Sequence, residues 1–294
     1  MYEQVVLPCS VKASSILDKS SVYDDERLAG VYQRGNEMPD ASFRDWVHLI
    51  GSFAGRSSPA VVEIGAGTGM FCSAMARWLM PSKVVGVDAS LPMLTQAQRF
   101  NSHPAVHYLA GTAEVVPTSS GLFDLAVLSR VIHHLPDRVR VARELARILT
   151  PGDVTVIRTT FRERLDALVY DYWPRLRELD EQRFPSQPEV LEDFAAAGST
   201  VRTVTSSAGP VTASLRDYHA RMSSQPQSKF TQLTAAEFRE GLRRLQSDAQ
   251  DEPTSCPVPV AERYDIAVLS SSGATRNPLT RKHAYAIRQP RRSP

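Results

Sequence analysis

The sequence predicts an α/β fold, a doubly wound parallel sheet with helices on both faces. Short β-branched runs alternate with helical patterns between residues 60 and 161, and this alternation is typical of βαβ units. The runs are apolar almost throughout, as expected for parallel strands covered on both sides. A glycine-rich turn follows the first run and opens onto a helix, which places a tight backbone turn at the end of a strand.

Each element has its own signal along the chain. The runs AVVEI, KVVGV, AVHYL, FDLAVLS and DVTVIRTT predict five strands. Three helices are predicted between them, at TGMFCSAMARWLM, at SLPMLTQAQRF with Ser90 as N-cap and Pro92 in the first turn, and at PDRVRVARELARIL before a Pro-Gly pair. Further along the chain come a capped helix over 186–198, a strand TVRTVTSS, two helical stretches at SLRDYHARM and TAAEFREGLRRLQ, and a last strand RYDIAVLSS.

The bulk composition predicts a globular protein of the cytoplasm. The chain has 294 residues, of which 42% are hydrophobic and 22% charged, as in ordinary globular proteins. Its first residues, MYEQVVLPCS, do not resemble a signal peptide, and no stretch approaches the roughly 20 apolar residues of a membrane span. Cys9, Cys72 and Cys256 stand at unrelated spacings and indicate neither a disulfide framework nor a zinc site.

The net charge of +2 is unevenly distributed along the chain. Six positive charges and no acids follow Asp265, and subtracting 6 from +2 leaves −4 for the remainder. This slightly acidic remainder of the chain has no excess of basic residues that would indicate binding to nucleic acid. The basic segment 271–294 is predicted to be a solvated, disordered tail, and the alternative is an arm that binds nucleic acid.

The glycine-rich turn is part of a candidate nucleoside site. The sequence EIGAGTG occupies residues 63–69, and the next strand ends in Asp88, 23 residues beyond Gly65. Glycines let the backbone approach a ligand closely, and a carboxylate at the second strand end can accept hydrogen bonds from both ribose hydroxyls. The two features together predict a cofactor that contains a nucleoside.

The spacing of the glycines distinguishes between classes of cofactor that contain a nucleoside. The dinucleotide pattern G-x-G-x-x-G requires its third glycine where this chain has Met70. The preceding acid, Glu63, suits a ligand with an ammonium group, as in the methionyl part of S-adenosyl-L-methionine (SAM). Electrostatics therefore favour SAM over an anionic dinucleotide.

Later motifs strengthen a resemblance to class I SAM-dependent methyltransferases. GTAE at 111–114 resembles the turn that contacts adenine in this family, LFDLAVLSRVIHHLPD resembles its fourth strand and following loop, and ARELARILTPGD resembles the turn before its fifth strand. The segments YQRGNEMPDASFRDWVHLI, FPSQPEVLEDFAAAG and SKFTQLTAAEFREGL are similar to a small-molecule subgroup. This subgroup tailors natural products and includes indole C3-methyltransferases of tryptophan-containing cyclic dipeptides.

The resemblance implies an organisation of the chain. It implies a Rossmann-like, seven-stranded sheet, with N-terminal lid helices in residues 1–50. The SAM-binding domain would occupy 51–270, and a helical insert over 208–252 would cover the substrate pocket. The basic tail of 271–294 comes last.

The resemblance also implies the residues that hold SAM. Beside Glu63 these are Gly65, Gly67, Asp88, Ala89, Met93, Thr112, Ala113, Glu114 and Ser129, together with Tyr32 of the lid. Relatives often have an arginine after the lid glycine, where it binds the SAM carboxylate. Here Asn36 has that place and Arg34 precedes the glycine, so either residue is a candidate for the carboxylate.

Three side chains are candidates for the chemistry. His133 and His134 follow the fourth strand, at the sheet edge where open α/β folds bind ligands. An imidazole there can act as a general base or as a hydrogen-bond donor, and the alternative is that the pair only packs the loop. Tyr23 of the lid is expected to line the methyl-transfer pocket or to serve in packing. The sequence does not choose among the three.

Candidate substrate contacts lie in the later helical segments. Tyr170 and Trp173 share a helix face at a spacing of three residues, and Tyr218 and Arg221 do so in the helical insert. Aromatic residues at helical spacing also occur in hydrophobic cores, so packing is the alternative for each of them.

The residues after the fourth strand narrow the choice of acceptor. Ser129-Arg-Val-Ile is not the Asn/Asp-Pro-Pro-aromatic tetrad of nucleic-acid amino-methyltransferases, and no acidic cluster for a metal is found there. Methyl transfer to a small molecule without a metal is therefore expected, with neither nucleic acid nor a membrane as partner. The slightly acidic body and the aromatic residues of the lid and insert suggest a flat, largely uncharged acceptor, because aromatic walls suit π-systems. Indole C3 is one hypothesis, and O- or N-methylation of another metabolite, or SAM binding without turnover, are the alternatives.

Overall fold

The computed structural model describes residues 26–225 and 228–271. Seven strands are present in this part of the chain. They are β1 (Ala60–Ile64), β2 (Lys83–Asp88), β3 (Val106–Ala110), β4 (Phe123–Ser129), β5 (Leu149–Thr159), β6 (Ser199–Thr212) and β7 (Val260–Ser271). They form one sheet in the order β3-β2-β1-β4-β5-β7-β6.

Ten α-helices are present in the same residues. They are α1 (Glu26–Asn36), α2 (Asp40–Gly51), α3 (Met70–Trp78), α4 (Leu91–Phe100), α5 (Arg138–Ile148), α6 (Val169–Tyr172), α7 (Pro174–Arg183), α8 (Gln187–Ala196), α9 (Leu215–Met222) and α10 (Ala235–Asp251). Side chains cap several helix N-termini, and the caps of α4 and α8 were predicted from the sequence. Ser90 Oγ accepts the Met93 N–H at the start of α4, and capping boxes begin α8 and α10.

The pairing of the strands confirms the predicted α/β fold. β1 to β5 are parallel to one another, whereas β7 is antiparallel to both β5 and β6. β1 lies between β2 and β4, so the chain leaves β1 toward one edge of the sheet and later resumes on its other side. Ligands bind at such a switch point, beyond the carboxyl ends of the strands.

Helices cover both faces of the sheet. α2 and α3 pack on one face, where Phe43, Trp46 and Met75 join a core with Val61 and Val127 of the strands. α5 and α8 pack on the other face. Alternate strand residues thus reach different cores, and the polar Glu63, Ser129 and Arg158 stand at the strand ends on the α2 face.

The structure corrects one predicted boundary. The segment 208–252 is predicted to be a helical insert, but β6 continues to Thr212, because this stretch pairs with the start of β7 at Val260. The helical part begins at Leu215. The tail of 271–294 lies outside the described residues except for Ser271. No helix of the described chain is long and apolar enough to cross a membrane.

Candidate active site

The glycine loop lies at the carboxyl end of β1, at the switch point of the sheet. Gly65, Gly67 and Gly69 all have positive φ, between 54° and 78°, a region that other residues rarely adopt. A Cβ on Gly65 would lie 2.5 Å from Cγ2 of Val131, so a side chain at this position would collide with the loop after β4. The loop therefore exposes backbone rather than side chains to the space above β1.

Asp88 ties this loop to the end of β2. Its Oδ2 accepts the N–H of Gly67 at 2.7 Å, and its Oδ1 accepts the N–H of Ser90 at 2.9 Å. The side chain is half-buried, and each carboxylate oxygen can accept more than one hydrogen bond. Asp88 can thus shape the loop and still accept hydrogen bonds from the hydroxyls of a ligand.

A cleft of about 310 Å³ opens above the loop, and most of the predicted cofactor residues line it. We name it the glycine-loop cleft. Its predicted lining residues are Tyr32, Gly65, Gly67, Asp88, Ala89, Met93, Thr112, Ala113, Glu114 and Ser129. The structure thus brings together four strand ends and helix α1.

Glu63 and Asn36 line a smaller neighbouring cavity of about 50 Å³. We name it the arginine cavity, because Arg130, Arg158 and Arg221 also line it. These arginines are far apart in the sequence, and only Arg221 was predicted as a site residue, on the substrate side. The strand positions and helix α9 bring them together at the end of β1.

Glu63 is fully buried in this cavity. The thiol of Cys72 donates to Glu63 Oε2 at 2.9 Å. Burial raises the pKa of Glu63 to about 8, and the nearby Asp88 carboxylate acts in the same direction. Burial therefore favours the protonated carboxyl group, and a cationic ligand would favour its ionised form.

Arg158 is a buried cation on β5, 1% exposed. Its guanidinium lies 3.6 Å from the ring centroid of Tyr264 and 4.3 Å from that of Trp46, and Nη1 donates to Ser129 Oγ at 3.2 Å. Its buried Nε has no hydrogen-bond partner among the described residues. Burial lowers the pKa of Arg158 to about 10, so the side chain is charged at neutral pH.

The two lid residues that were predicted to bind the SAM carboxylate occupy different environments. Arg34 is exposed and lines neither the glycine-loop cleft nor the arginine cavity. Asn36 is buried, donates from Nδ2 to the Tyr32 carbonyl at 3.0 Å, and accepts from Arg130 Nη1 at 3.1 Å. Asn36 thus positions a guanidinium in the cavity, while Arg34 points elsewhere.

His133 and His134 form a 3₁₀ turn after β4 and face different spaces. The His133 ring stacks on Phe184 with centroids 4.3 Å apart, and its buried Nδ1 has no hydrogen-bond partner among the described residues. His134 lines the glycine-loop cleft and is 2.8 Å from Arg183 Nη2. Burial, together with neighbouring cations, lowers the pKa of both imidazoles, so both are neutral at neutral pH.

A third cavity, of about 80 Å³, adjoins the glycine-loop cleft. We name it the histidine cavity, since His133 lines it together with Tyr170, Phe184 and Tyr264. Seven charged side chains also line it: Arg130, Asp166, Asp180, Arg183, Lys229, Glu262 and Arg263. Apart from Tyr170 and His133, these residues were missed by sequence reasoning, because no local motif marks residues that meet only in the fold.

The predicted substrate residues lie in three places, namely the histidine cavity, the core and the arginine cavity. Tyr170 lines the histidine cavity and donates to Asp180 Oδ2 at 2.8 Å. Trp173 is buried against α10, where Nε1 donates to the Phe238 carbonyl at 3.1 Å, and Tyr218 is fully buried. Arg221 donates to the carbonyls of Gly35 and Val211 beside the arginine cavity. Tyr23 lies outside the described residues.

Comparison with known proteins identifies the segment around the glycine loop. The family described as "Methyltransferase domain" matches residues 62–157. Demethylmenaquinone methyltransferase of Lactiplantibacillus plantarum is 33% identical over 43% of this chain and 56% of its own length. Malonyl-[acyl-carrier protein] O-methyltransferase of Salmonella typhimurium is 32% identical over 41% and 46%. The chain thus spans about half the length of these curated relatives.

Solved structures share the fold over a larger part of the chain. Phosphoethanolamine N-methyltransferase 2 of Haemonchus contortus, solved with S-adenosylhomocysteine, aligns over 84% of this chain and 57% of its own, with 16% identity and a TM-score of 0.53. Residues 62–157 thus match a family of methyltransferase domains, and the likeness to solved structures extends the shared fold beyond this segment.

Proposed function

We propose that this protein is a SAM-dependent methyltransferase that acts on a small molecule. One observation carries this proposal: Tyr32 and Arg130 line all three cavities. The glycine-loop cleft, the arginine cavity and the histidine cavity therefore meet at one place. A methyl group presented at this junction would face an acceptor in the histidine cavity. Holding the two reactants in line accounts for much of the catalysis in such a transfer.

The charges of the two cofactor cavities match the two ends of SAM. Asp88 suits the ribose hydroxyls, and Thr112 to Glu114 follow β3 where the adenine would lie. In the arginine cavity, Glu63 suits the methionyl ammonium, while Arg158 and Arg130 supply positive charge for the carboxylate. A pyrophosphate carries negative charge only and would not match the carboxyl group of Glu63. This mismatch supports SAM over a dinucleotide.

The protein's own residues have three tasks in the proposed reaction. SAM held by Asp88 and Glu63 would supply an electrophilic methyl carbon to the acceptor's electron pair, with S-adenosylhomocysteine as the leaving group. Tyr32 and the rings of Phe184 and Tyr170 orient the acceptor and exclude water. His133 lines the histidine cavity with a neutral ring, and its buried Nδ1 has no hydrogen-bond partner among the described residues, so this side chain is suited to accept the proton that the acceptor loses.

The finer hypothesis for the acceptor is indole C3 of a tryptophan-containing cyclic dipeptide. The aromatic side chains of Tyr170, Phe184 and Tyr264 support a π-rich acceptor. Attack by C3 forms the carbon–methyl bond, and loss of the N1 proton follows. Closure of the imine by the neighbouring amide nitrogen would give a pyrroloindoline. O- or N-methylation of another metabolite is the competing possibility for the same cavity.

Incubation with SAM and a panel of acceptors tests the proposal. The panel comprises tryptophan cyclic dipeptides, phenols and amines, and product masses are read for a gain of one methyl group. Methylation of phenolic oxygen alone would eliminate the indole hypothesis. Binding of SAM without turnover on the panel or on cell extract would favour a binding protein. Deletion of residues 276–294 should leave activity almost unchanged, because the described residues that line the cavities all precede this segment.

A further inference from the structure

Gly86 leaves room for another side chain beside Glu63. The two residues are partners in the register of β1 and β2, so they belong to the same face of the sheet. A Cβ on Gly86 would lie 2.8 Å from Cys72 Sγ and 2.8 Å from Tyr108 Cδ1. Because Gly86 has no side chain, the thiol of Cys72 fits against the strand and reaches the carboxyl group of Glu63 at 2.9 Å.

Helix α3 brings the thiol to this place. The helix begins at Met70, directly after the glycine loop, so Cys72 lies in its first turn. Cys72 is fully buried and Glu63 is 3% exposed. A hydrogen bond to the ionised form lowers a carboxyl pKa, and Cys72 acts on Glu63 in this direction through its thiol and its backbone, against the larger effect of burial. Cys72 is thus a contact of Glu63 that favours the carboxylate.

The other titratable and charged groups around this pair come from several elements. Asp88 at the end of β2 raises the pKa of Glu63, and Arg158 of β5 lowers it. The remaining groups of the described residues that act on the pair or line the same cavity are Tyr108 of β3, Arg130 after β4, Arg221 of α9 and Tyr264 of β7. Burial outweighs the effect of Arg158, and a ligand cation in the arginine cavity would reverse this balance.

We propose that the ammonium group of the cofactor displaces a proton from Glu63, and that Cys72 is the positioning residue that stabilises the resulting carboxylate. This inference rests on the proposed function, since it concerns the cofactor site of that same reaction. The O–H bond of the Glu63 carboxyl group breaks and its proton passes to the solvent. The ammonium keeps its protons and forms an ion pair with the carboxylate. The thiol also keeps its proton, because burial raises the pKa of Cys72, and it continues to donate to Oε2.

Release of a proton makes the affinity for the cofactor depend on pH. Below the pKa of Glu63 in the unliganded protein, each rise of one pH unit should raise the affinity about tenfold, because one proton is exchanged for one ligand. A ligand that lacks the amino-acid group would release no proton from Glu63. The comparison of two such ligands therefore locates the proton at the amino-acid end of the cofactor.

Calorimetric titration of S-adenosylhomocysteine and of 5′-methylthioadenosine, which lacks the amino-acid group, tests the exchange. Pairs of buffers with different ionisation enthalpies give the number of protons released per ligand. We expect S-adenosylhomocysteine to bind about 50- to 100-fold more tightly at pH 7.5 than at pH 5.5, and to release about one proton at pH 6.5. The shorter ligand should show neither effect, and Glu63→Gln should abolish both.

Variants at Cys72 test the positioning role. Cys72→Ala removes the thiol donor and raises the pKa of Glu63 further, so it should weaken binding of S-adenosylhomocysteine at pH 7.5 by about 3- to 10-fold and change that of 5′-methylthioadenosine less than about twofold. At pH 8, where the wild type should release about half a proton, Cys72→Ala should release more.

A conservative variant and a neighbouring one serve as controls. Cys72→Ser keeps a donor, so it should bind S-adenosylhomocysteine within about twofold of the wild type and release no more protons at pH 8. Ser73→Ala should match the wild type in both measurements, because Ser73 is the next buried residue of α3 and the thiol stays in place.

The outcomes separate this inference from the proposed function. Failure of the wild type to bind S-adenosylhomocysteine would overturn the proposed function. Normal binding without proton release, or with the same pH dependence for 5′-methylthioadenosine, would overturn the proton exchange alone. The positioning role would be wrong if Cys72→Ala matched the wild type in affinity and proton release, if Cys72→Ser released more protons than the wild type, or if Ser73→Ala reproduced the effect of Cys72→Ala.

Discussion

The thiol of Cys72 donates a hydrogen bond to Glu63 Oε2 over 2.9 Å, beneath the glycine loop. Both side chains are fully buried, and the pKa of each is raised by that burial. Burial thus favours the neutral form of both groups, and a bound SAM ammonium would favour the ionised Glu63 carboxylate.

Replacing Glu63 should change stability and binding in opposite directions. The folded-state pKa of about 8 lies above the unfolded value, so the folded state binds more protons between pH 4.5 and 8 and stability falls as pH rises through that window. The loss is on the order of 4 kcal/mol. Glu63→Gln should remove this dependence, leave the variant more stable than wild type at pH 8, and weaken SAM binding.

Urea denaturation at pH 5 and pH 8, with calorimetric titration of SAM, measures both effects. Glu178→Gln is the control, since Glu178 is exposed on α7. Equal pH dependence in Glu63→Gln and wild type would show that Glu63 does not titrate as described.

Asp88 should be required for cofactor affinity. Its carboxylate accepts N–H groups of Gly67 and Ser90 and faces the glycine-loop cleft. Asp88→Ala should weaken SAM binding by about 1–3 kcal/mol, through the lost hydroxyl contacts and the loosened loop. Asp88→Asn should lose less, because an amide oxygen can still accept. Tight NAD binding with no SAM binding would refute the cofactor assignment.

The two histidines should differ in their effect on turnover. His133 lines the histidine cavity, whereas His134 lines the glycine-loop cleft beside Arg183. His133→Ala should lower kcat by roughly 10²–10⁴-fold with almost unchanged SAM affinity, as expected for a general base. His134→Ala should cost less than about tenfold. The reverse order, or a larger loss in Tyr23→Phe than in His133→Ala, would assign the proton transfer elsewhere.

The value of kcat/KM should not fall as the pH is lowered through the usual histidine pKa. Burial and the nearby cations lower the pKa of His133, and the base must be unprotonated to act. For a neutral acceptor, kcat/KM should therefore stay constant from pH 8 to below pH 6.5. Arg183→Gln should move the fall in kcat/KM to higher pH by removing one of these cations. A wild-type fall at or above pH 6.5 would contradict the proposed environment of His133.

Gly241 should tolerate no side chain. A Cβ at this position of α10 would lie 2.2 Å from Nε1 of Trp173. Gly241→Ala should destabilise the protein by about 1–3 kcal/mol through overpacking, as measured by urea denaturation. Gly30→Ala is the matched control, because a Cβ there has no atom of the described residues within 4 Å and alanine favours the helix. Equal stability of the two variants would show that Trp173 moves without cost.

The sequence alone determined the helices and strands and the part of the site that would hold the cofactor. Strand runs, N-caps such as Ser90 and the glycine loop are local patterns, and each depends on neighbours a few residues away. Because parallel strands end at one edge of the sheet, the positions of Asp88 and Ser129 at their strand ends suffice to assign both to the same cleft as Gly65.

Only the tertiary structure decided which residues form the part of the site that would hold the methyl acceptor. Arg130, Arg183, Lys229 and Glu262 come from four distant segments, and only packing brings their charges into one cavity. The order of β7 between β5 and β6, which delivers Glu262 and Tyr264 to this cavity, depends on long-range pairing. The burial of Trp173 against Gly241, in place of a role in the pocket, was also settled by contacts between remote helices. Local periodicity identifies which face of an element is apolar, but the partner of that face depends on how the whole chain folds.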